Sequence, residues 1–517
     1  MAASSERECV PPVSNVLLVT IDSLRWDVPG AYRETPMPTD YAIETDALDR
    51  FADRATIFER HWTGSLPCIP QRREFLAGVR EFLWRPWGPA EPFDDLLPAL
   101  AREAGVYPHL VTDHYHYFER GGEGYWPDFL SFAFVRGHER DALRTTPRRP
   151  AGTLLAQSGI GPGEAPAVAR TNAQYARNVT DVDPADERDF FAARTFTAAS
   201  DWLREATPEL DRWFCYVDSF DVHEPFHNPE PYASMYTDED PRDPDLPIWP
   251  AYASVAAQGV SDRELDFVRS QYAGKVTMTD RWFGEVLDAL DERDCWDETM
   301  VVVTTDHGYA LGDHGHLAKN HQPAYDEVAR TPLFVHYPGE TRDRVDGLTS
   351  AVDVHQTVRD ALGLAGESPH GRSLLPLVAG ERDPADHRDY ALYGYFGAGV
   401  NVTDGRYTYL HPPADADAPV HRYGATYAGT PYGGDAPTAD EVTAGTLPHT
   451  DRPVWRVSAD TWFQHEDPLL FDVGADPQQS MDVATSDPAV RDRMVDLLRR
   501  GLSDLSAPAA QFDRLGL

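Results

Sequence analysis

Lysine is almost missing from this chain of 517 residues: Lys275 and Lys319 are the only two, and every other basic side chain is arginine. Basic charge is scarce altogether, with 46 Lys and Arg against 85 Asp and Glu, a formal net charge of −39. That balance excludes a nucleic-acid-binding surface, because gripping a phosphate backbone takes a basic stripe. Codon bias toward arginine accounts for the missing lysine but not for the surplus acid. A carboxylate-coated, nearly lysine-free chain reads as a halophilic one, built for an acidic proteome in concentrated salt. There the Debye length falls to about 3 Å and such a surface repels itself little. Cysteine is equally sparse: Cys9, Cys68, Cys215 and Cys295 fit neither a disulfide framework nor a zinc pattern. No eighteen apolar residues run together, so neither a membrane-spanning helix nor a membrane partner is expected. Residues 1–14 lack an apolar stretch of signal-peptide length, and the expected location is cytoplasmic. The glycosylation patterns at Asn178-Val-Thr and Asn401-Val-Thr are discounted on that ground.

What is present is enough to fold. Apolar residues make up 41% and aromatics 11%, too rich for a disordered acidic polymer. Three β-branched runs, Asn15 to Ile21, Trp213 to Val217 and Met300 to Thr305, read as buried strands. Helical patterns lie between them, notably Phe190 to Glu205 and Glu264 to Leu290. Strands alternating with helices predict an α/β domain with a largely parallel sheet, whose ligands bind beyond the carboxyl ends of the strands. Each of those ends carries Asp or His. A catalytic domain over 1–375 and a smaller C-terminal α+β subdomain over 376–517 are expected. Pro/Gly-rich stretches at about 145–187 and 411–453 read as surface excursions that shape the pocket. A hairpin is expected around Asp404-Gly405, and an amphipathic helix from Pro488 to Leu505.

The most specific short motif is Cys68-Ile69-Pro70-Gln71-Arg72. A lone cysteine is often only a small buried hydrophobe, and Asp22 or Asp306 at a strand end can equally cap a helix. Together, however, Asp22, Asp306 and His307 supply two carboxylates and an imidazole, which with a fourth ligand from residue 68 would hold one divalent cation. Lys319 stands thirteen residues after Asp306 in a chain that has otherwise discarded lysine, so arginine does not serve there. A compact ammonium approaches an anionic oxygen, or gives up a proton, as a guanidinium does not. Lys275, within a helical pattern, reads as a leftover surface lysine. His223, just past the second strand run, is placed to protonate a leaving oxygen. His114 and His116, two apart, share one face if their segment is extended, to bind an anion or simply to sit in solvent at an edge.

In order, several segments resemble the sulfatase and phosphonate monoester hydrolase branch of the alkaline phosphatase superfamily. They are Val19-Thr-Ile-Asp22-Ser-Leu-Arg25, Cys68-x-Pro-x-Arg72 running into Arg-Glu-Phe-Leu-Ala-Gly78, Asp218-Ser-Phe-Asp-Val-His223-Glu-Pro, Thr305-Asp306-His307-Gly, Lys319, Thr331-Pro-Leu-Phe and Pro468 to Pro477. The resemblance implies an alkaline-phosphatase-like core and a metal-dependent hydrolase of sulfate esters. It implies conversion of Cys68 to formylglycine, and hence a formylglycine-generating enzyme as partner. The metal would be held by Asp22, Cys68, Asp306 and His307, with Arg72 orienting the nucleophile. His116, His223 and Lys319 would contact the anionic group and leaving oxygen; His114 stands where many sulfatases have lysine. Two departures, Ser23 after Asp22 and His307 after Asp306, look more like the phosphonate monoester or phosphodiester hydrolase side. They favour manganese or zinc, with calcium still open. The substrate would be a small-molecule or glycan sulfate or phosphonate ester, and relatives of this kind are often homo-oligomers. A phosphotransferase of the same fold would use Thr or Ser at the nucleophile, and a non-catalytic metal-cleft binder would need neither nucleophile nor proton donor.

Overall fold

The computed structural model describes residues 12–32, 39, 41–144, 152–159, 172–339, 341–415, 418–426, 437–462 and 464–517. The first apolar run forms the strand Asn15–Ile21, buried along its whole length. Its side chains alternate between two cores: Val16 and Leu18 enter one, Leu17, Val19 and Ile21 the other. A strand covered on both faces belongs inside a sheet, and this one lies near the middle of eight. Their order is Arg344–Ser350, Thr56–Trp62, Leu333–His336, Thr299–Thr304, Asn15–Ile21, Trp213–Ser219, Tyr107–Thr112 and Ser131–Phe134. Every pairing is parallel except the two made by Leu333–His336. The helices Phe191–Glu205 and Asp262–Arg293 cover one face, and Cys68–Ala77 and Asp353–Leu362 the other. The expected α/β architecture is therefore the observed one.

In register, Thr20 pairs with Asp218 and Thr304, and Asp218 with Thr112. The carboxyl ends of four neighbouring strands thus stand level, which brings Asp22, Asp218, Asp306 and His114 to one edge of the sheet. Beyond it, a five-stranded sheet runs Leu469–Asp472, Tyr407–His411, Val400–Thr403, Ala391–Tyr395 and Ser65–Leu66. The expected hairpin at Asp404-Gly405 joins two of these strands, with Gly405 at φ 86°. The helix Pro488–Asp504 packs on this sheet through Met494, Leu498 and Leu502. Ser65–Leu66 pairs with Gly394 and Tyr395, so the polypeptide entering Cys68 is stitched to the C-terminal part of the chain.

Three expectations are corrected. The stretch 411–453 is not merely loop: Val420–Gly424, Val442–Leu447 and Thr450–Ala459 form an antiparallel sheet, hidden in the sequence by Gly, Pro and Asp around short β-branched runs. Of the 145–187 excursion, 152–159 and 172–187 carry short helices, and the rest lies outside the described residues. Lys275 is not a surface lysine. It is 1% exposed and its Nζ lies 2.5 Å from Asp221 Oδ1, because the middle of the 32-residue Asp262–Arg293 helix is buried nearly all round. Among the described residues, no helix is long and apolar enough to cross a membrane.

Candidate active site

Arg72 is the residue on which the strand ends converge. Every side chain of the Cys68–Ala77 helix is buried, and Arg72, one turn in, is wholly enclosed. Its Nη2 donates to Asp22 Oδ2 and to Asp218 Oδ1, each at 2.9 Å, its Nε donates to Asp218 Oδ2 at 3.2 Å, and its Nη1 pairs with Asp306. One planar guanidinium thereby serves three aspartates from three adjacent strands, a task its fork of donors suits and an ammonium does not. Nη1 also donates to the Cys68 carbonyl at 3.3 Å, fixing the first turn of the helix. Tyr117 Oη at 2.7 Å and Thr20 Oγ1 at 2.5 Å donate to Asp218. In sequence nothing in the neighbours of Asp218 distinguishes it from any other strand-end aspartate.

One arginine leaves the surrounding carboxylates short of positive charge. Asp22, Cys68, Asp306 and His307 each bring a ligand atom within 4.8 Å of the others, all buried. His307 Nδ1 donates to the Gly308 carbonyl at 2.9 Å, so the lone pair of Nε2 faces Cys68 Sγ at 3.3 Å and Asp306 Oδ2 at 3.1 Å. Burial pushes His307 down to about 3, leaving a neutral ring able to donate that lone pair. Burial and the Asp306 carboxylate push Asp22 up to about 8. Asp306 moves the other way: burial would raise it, but Arg72 and Lys319 hold it below the ordinary range. Two dry carboxylates shifted apart in this manner accept one further positive charge between them. The donor set, two carboxylates and an imidazole beside residue 68, fits a divalent cation.

Lys319, 1% exposed, points its Nζ at Ser23 Oγ (3.2 Å), Cys68 Sγ (3.7 Å) and Asp22 Oδ1 (3.9 Å). Burial works against its charge, yet the carboxylates of Asp22, Glu224 and Asp306 hold the ammonium above its usual range. Cys68 is itself buried, and burial with Asp22 drives its thiol well up, so as a plain thiol it stays protonated. Ser23, at φ 61°, donates its N–H to Asp306 Oδ1 at 3.2 Å and its hydroxyl to Asp22 Oδ1 at 2.8 Å. His223 is turned by a bond from its Nδ1 to the Glu224 carbonyl at 2.8 Å, and burial with nearby Lys319 holds it neutral.

The two histidines at the Tyr115–Phe118 turn, His114 just before it and His116 within it, part company. Their segment is not extended, so the expected shared face does not arise, although the rings lie 5.1 Å apart. His114 Nε2 stands 3.6 Å from Asp22 Oδ2, directly over the acidic cluster. His116 sits a layer further out, its Nδ1 paired with Glu119 and its Nε2 with Glu139 at 3.3 Å. Those two glutamates outweigh burial and raise His116. Glu139 had no signal in the sequence that marked it as a neighbour of His116.

A family model described as Sulfatase matches residues 14–364. The chain is 26% identical over 442 residues to the multifunctional alkaline phosphatase superfamily protein PehA of Trinickia caryophylli, covering 74% of this chain and 80% of that one. It is 25% identical over 431 residues to a choline-sulfatase of Rhizobium meliloti (strain 1021), covering 78% and 79%. The fold is similar to that of the phosphonate monoester hydrolase of Agrobacterium radiobacter, with TM-score 0.64, 21% identity and 96% of each chain covered. With a strand-end metal-type cluster, a Cys-x-Pro-x-Arg helix start and a matching model over most of its length, this chain belongs to the sulfatase family, within the alkaline phosphatase superfamily.

Proposed function

We propose that the protein is a metal-dependent hydrolase of sulfate esters whose nucleophile is a formylglycine made from Cys68. The observation that carries the reading is the placement of Cys68 Sγ, 3.3 Å from His307 Nε2 and 3.7 Å from Lys319 Nζ, at the start of the Cys-x-Pro-x-Arg helix. Asp22, Asp306, His307 and residue 68 would hold the cation, with manganese, zinc and calcium all compatible with the donors. Hydrated formylglycine would supply a hydroxyl nucleophile, and a cation held by these residues would supply Lewis acidity, lowering the pKa of that hydroxyl and offsetting charge on the ester oxygens. Arg72 holds the residue-68 backbone and the aspartates in place. Lys319 puts a fixed positive charge beside the point of attack, where the ester's nonbridging oxygens gather charge. His223 carries the proton for the leaving oxygen: the arriving anion adds the negative charge that favours its protonated form. His114 lines the anion's side of the cluster, and His116 supports it from behind.

A second reading, hydrolysis of phosphonate monoesters or phosphodiesters by the same groups, is favoured by the imidazole at His307 and by Ser23 where a second carboxylate would stand. The partners that follow are a small-molecule or glycan ester and the enzyme that makes formylglycine. The test is peptide mass spectrometry on protein from its native host, with turnover of matched sulfate and phosphonate esters. A loss of about 18 Da at Cys68, thiol to aldehyde, with faster sulfate turnover supports the first reading. Full activity from an unmodified thiol rejects it.

A further inference from the structure

Behind the candidate site lies a second buried set of ionisable groups that the chemistry above does not use. Asp113, His138 and Asp221 bring ligand atoms within 4.8 Å of one another, all buried, a grouping able to hold a cation. Here the chain supplies the cation itself. Lys275 Nζ lies 2.5 Å from Asp221 Oδ1, and His138 Nε2 lies 2.9 Å from the same oxygen. Asp221 Oδ2 accepts the Ala192 N–H at 3.0 Å, at the start of the Phe191–Glu205 helix. Asp113 Oδ1 accepts the Phe220 N–H at 2.7 Å. Three elements far apart in sequence (the long helix, the loop at 138 and the helix beginning at 191) are therefore tied to the single turn 220–223.

That turn ends in His223. Phe220 stacks on the His223 ring, 4.3 Å between centroids and 19° between planes, and stands edge-on to His138 at 4.8 Å and to His114 at 4.6 Å. Displacing Asp221 would shift Phe220, and with it the face against which the His223 ring is set. The chain's composition fits such a role. It has dispensed with lysine everywhere except in two buried places, one in the cleft and one here.

We propose that the Lys275–Asp221 ion pair is a positioning device for the proton donor: it pins the 220–223 turn so that the His223 ring faces the leaving oxygen. The inference rests on the reading of His223 as that donor. Lys275 and Asp221 touch no reacting atom and are positioning residues. Loss of the pair should therefore weaken leaving-group protonation selectively, and the cost should grow as the leaving alcohol becomes less acidic.

The experiment compares kcat/KM of the metal-reconstituted protein and its variants across sulfate monoesters running from acidic phenols to simple alcohols, with the matching phenylphosphonate esters in parallel. Single removal of Lys275 would strand a buried carboxylate, so the pair Lys275→Met with Asp221→Asn is made together. His138→Gln, which keeps both charges, is the milder second variant should the pair not fold. Metal content and melting temperature are recorded for each. The expected result is a loss of about 10²-fold on alkyl esters and under about threefold on the most acidic phenol, with metal content unchanged. A uniform loss, or none, while His223→Gln shows the steep dependence, overturns the positioning role alone. A flat profile for His223→Gln overturns the assignment of His223, and this inference with it.

Discussion

At Arg72 and Lys319 two cations do different work, and the difference is chemical. Arg72 spends its donors on Asp22, Asp218 and Asp306 at once, whereas Lys319 offers a compact charge to whatever lies against Sγ of residue 68. Lys319→Arg should therefore lower kcat by about 10²-fold or more despite preserving the charge, because a planar fork cannot occupy the ammonium's place. Asp306→Asn should lose bound metal, read by elemental analysis of purified protein, while a melting curve shows the fold retained. The pattern of the site was legible at this scale where residue type alone carries chemistry: Cys68, Asp22, Asp306, His307 and Lys319 come together as expected. What stayed hidden depends on side-chain direction across the fold. Asp218, Glu139 and Asp221 are ordinary acids in sequence, and only the packing turns them toward Arg72, His116 and Lys275.

Among elements, the Cys68–Ala77 helix shows how tightly the site is framed. It ends at Gly78, φ 68°, where a Cβ would lie 2.2 Å from Ser368 Oγ and 2.5 Å from His355 Nδ1. Gly78→Ala combines a strained left-handed backbone with that collision. It should cost more than about 1 kcal/mol, visible as a lower midpoint in denaturant, and should reduce activity through the helix that carries residues 68 and 72. The central strands and long helices were legible because each buries one face or both over many residues. Asn15–Ile21 matches the expected span, and the Asp262–Arg293 helix extends the expected one at each end. The sheet within 420–459 was not, since Val442–Leu447 and Thr450–Ala459 bury few residues and only the short Val420–Gly424 is mostly buried.

Over the whole molecule, charge and buried histidine set the response to solvent. A net charge of −39 is self-repulsive at low ionic strength. Melting temperature should rise steadily as KCl goes from about 0.1 M to molar, where the screening length drops to about 3 Å. A melting curve insensitive to salt would reject the halophilic reading. His61 and His355 are buried and His227 is half-buried, and desolvation pushes each down to about 3 from an ordinary value near 6.5. Between those values the unfolded chain binds the proton and the folded one does not, so stability falls as pH drops below about 6.5. The slope is up to about 1.4 kcal/mol per pH unit for each histidine. Denaturant midpoints at pH 7.5 and 5.5 measure it; equal midpoints would mean these rings are protonated in the fold.

Cys68 is 3% exposed, on a helix locked to strand ends whose last member, Asp306, is made late in synthesis. The modifying enzyme of the proposed function would therefore work against a clock. Its window opens when residue 68 emerges from the ribosome and shuts when the strand before Asp306 adds to the sheet. If Cys68 is modified as proposed, chains that fold faster than they are modified would be trapped with an inaccessible thiol, and the yield of active molecules would follow the timing of translation as well as equilibrium stability.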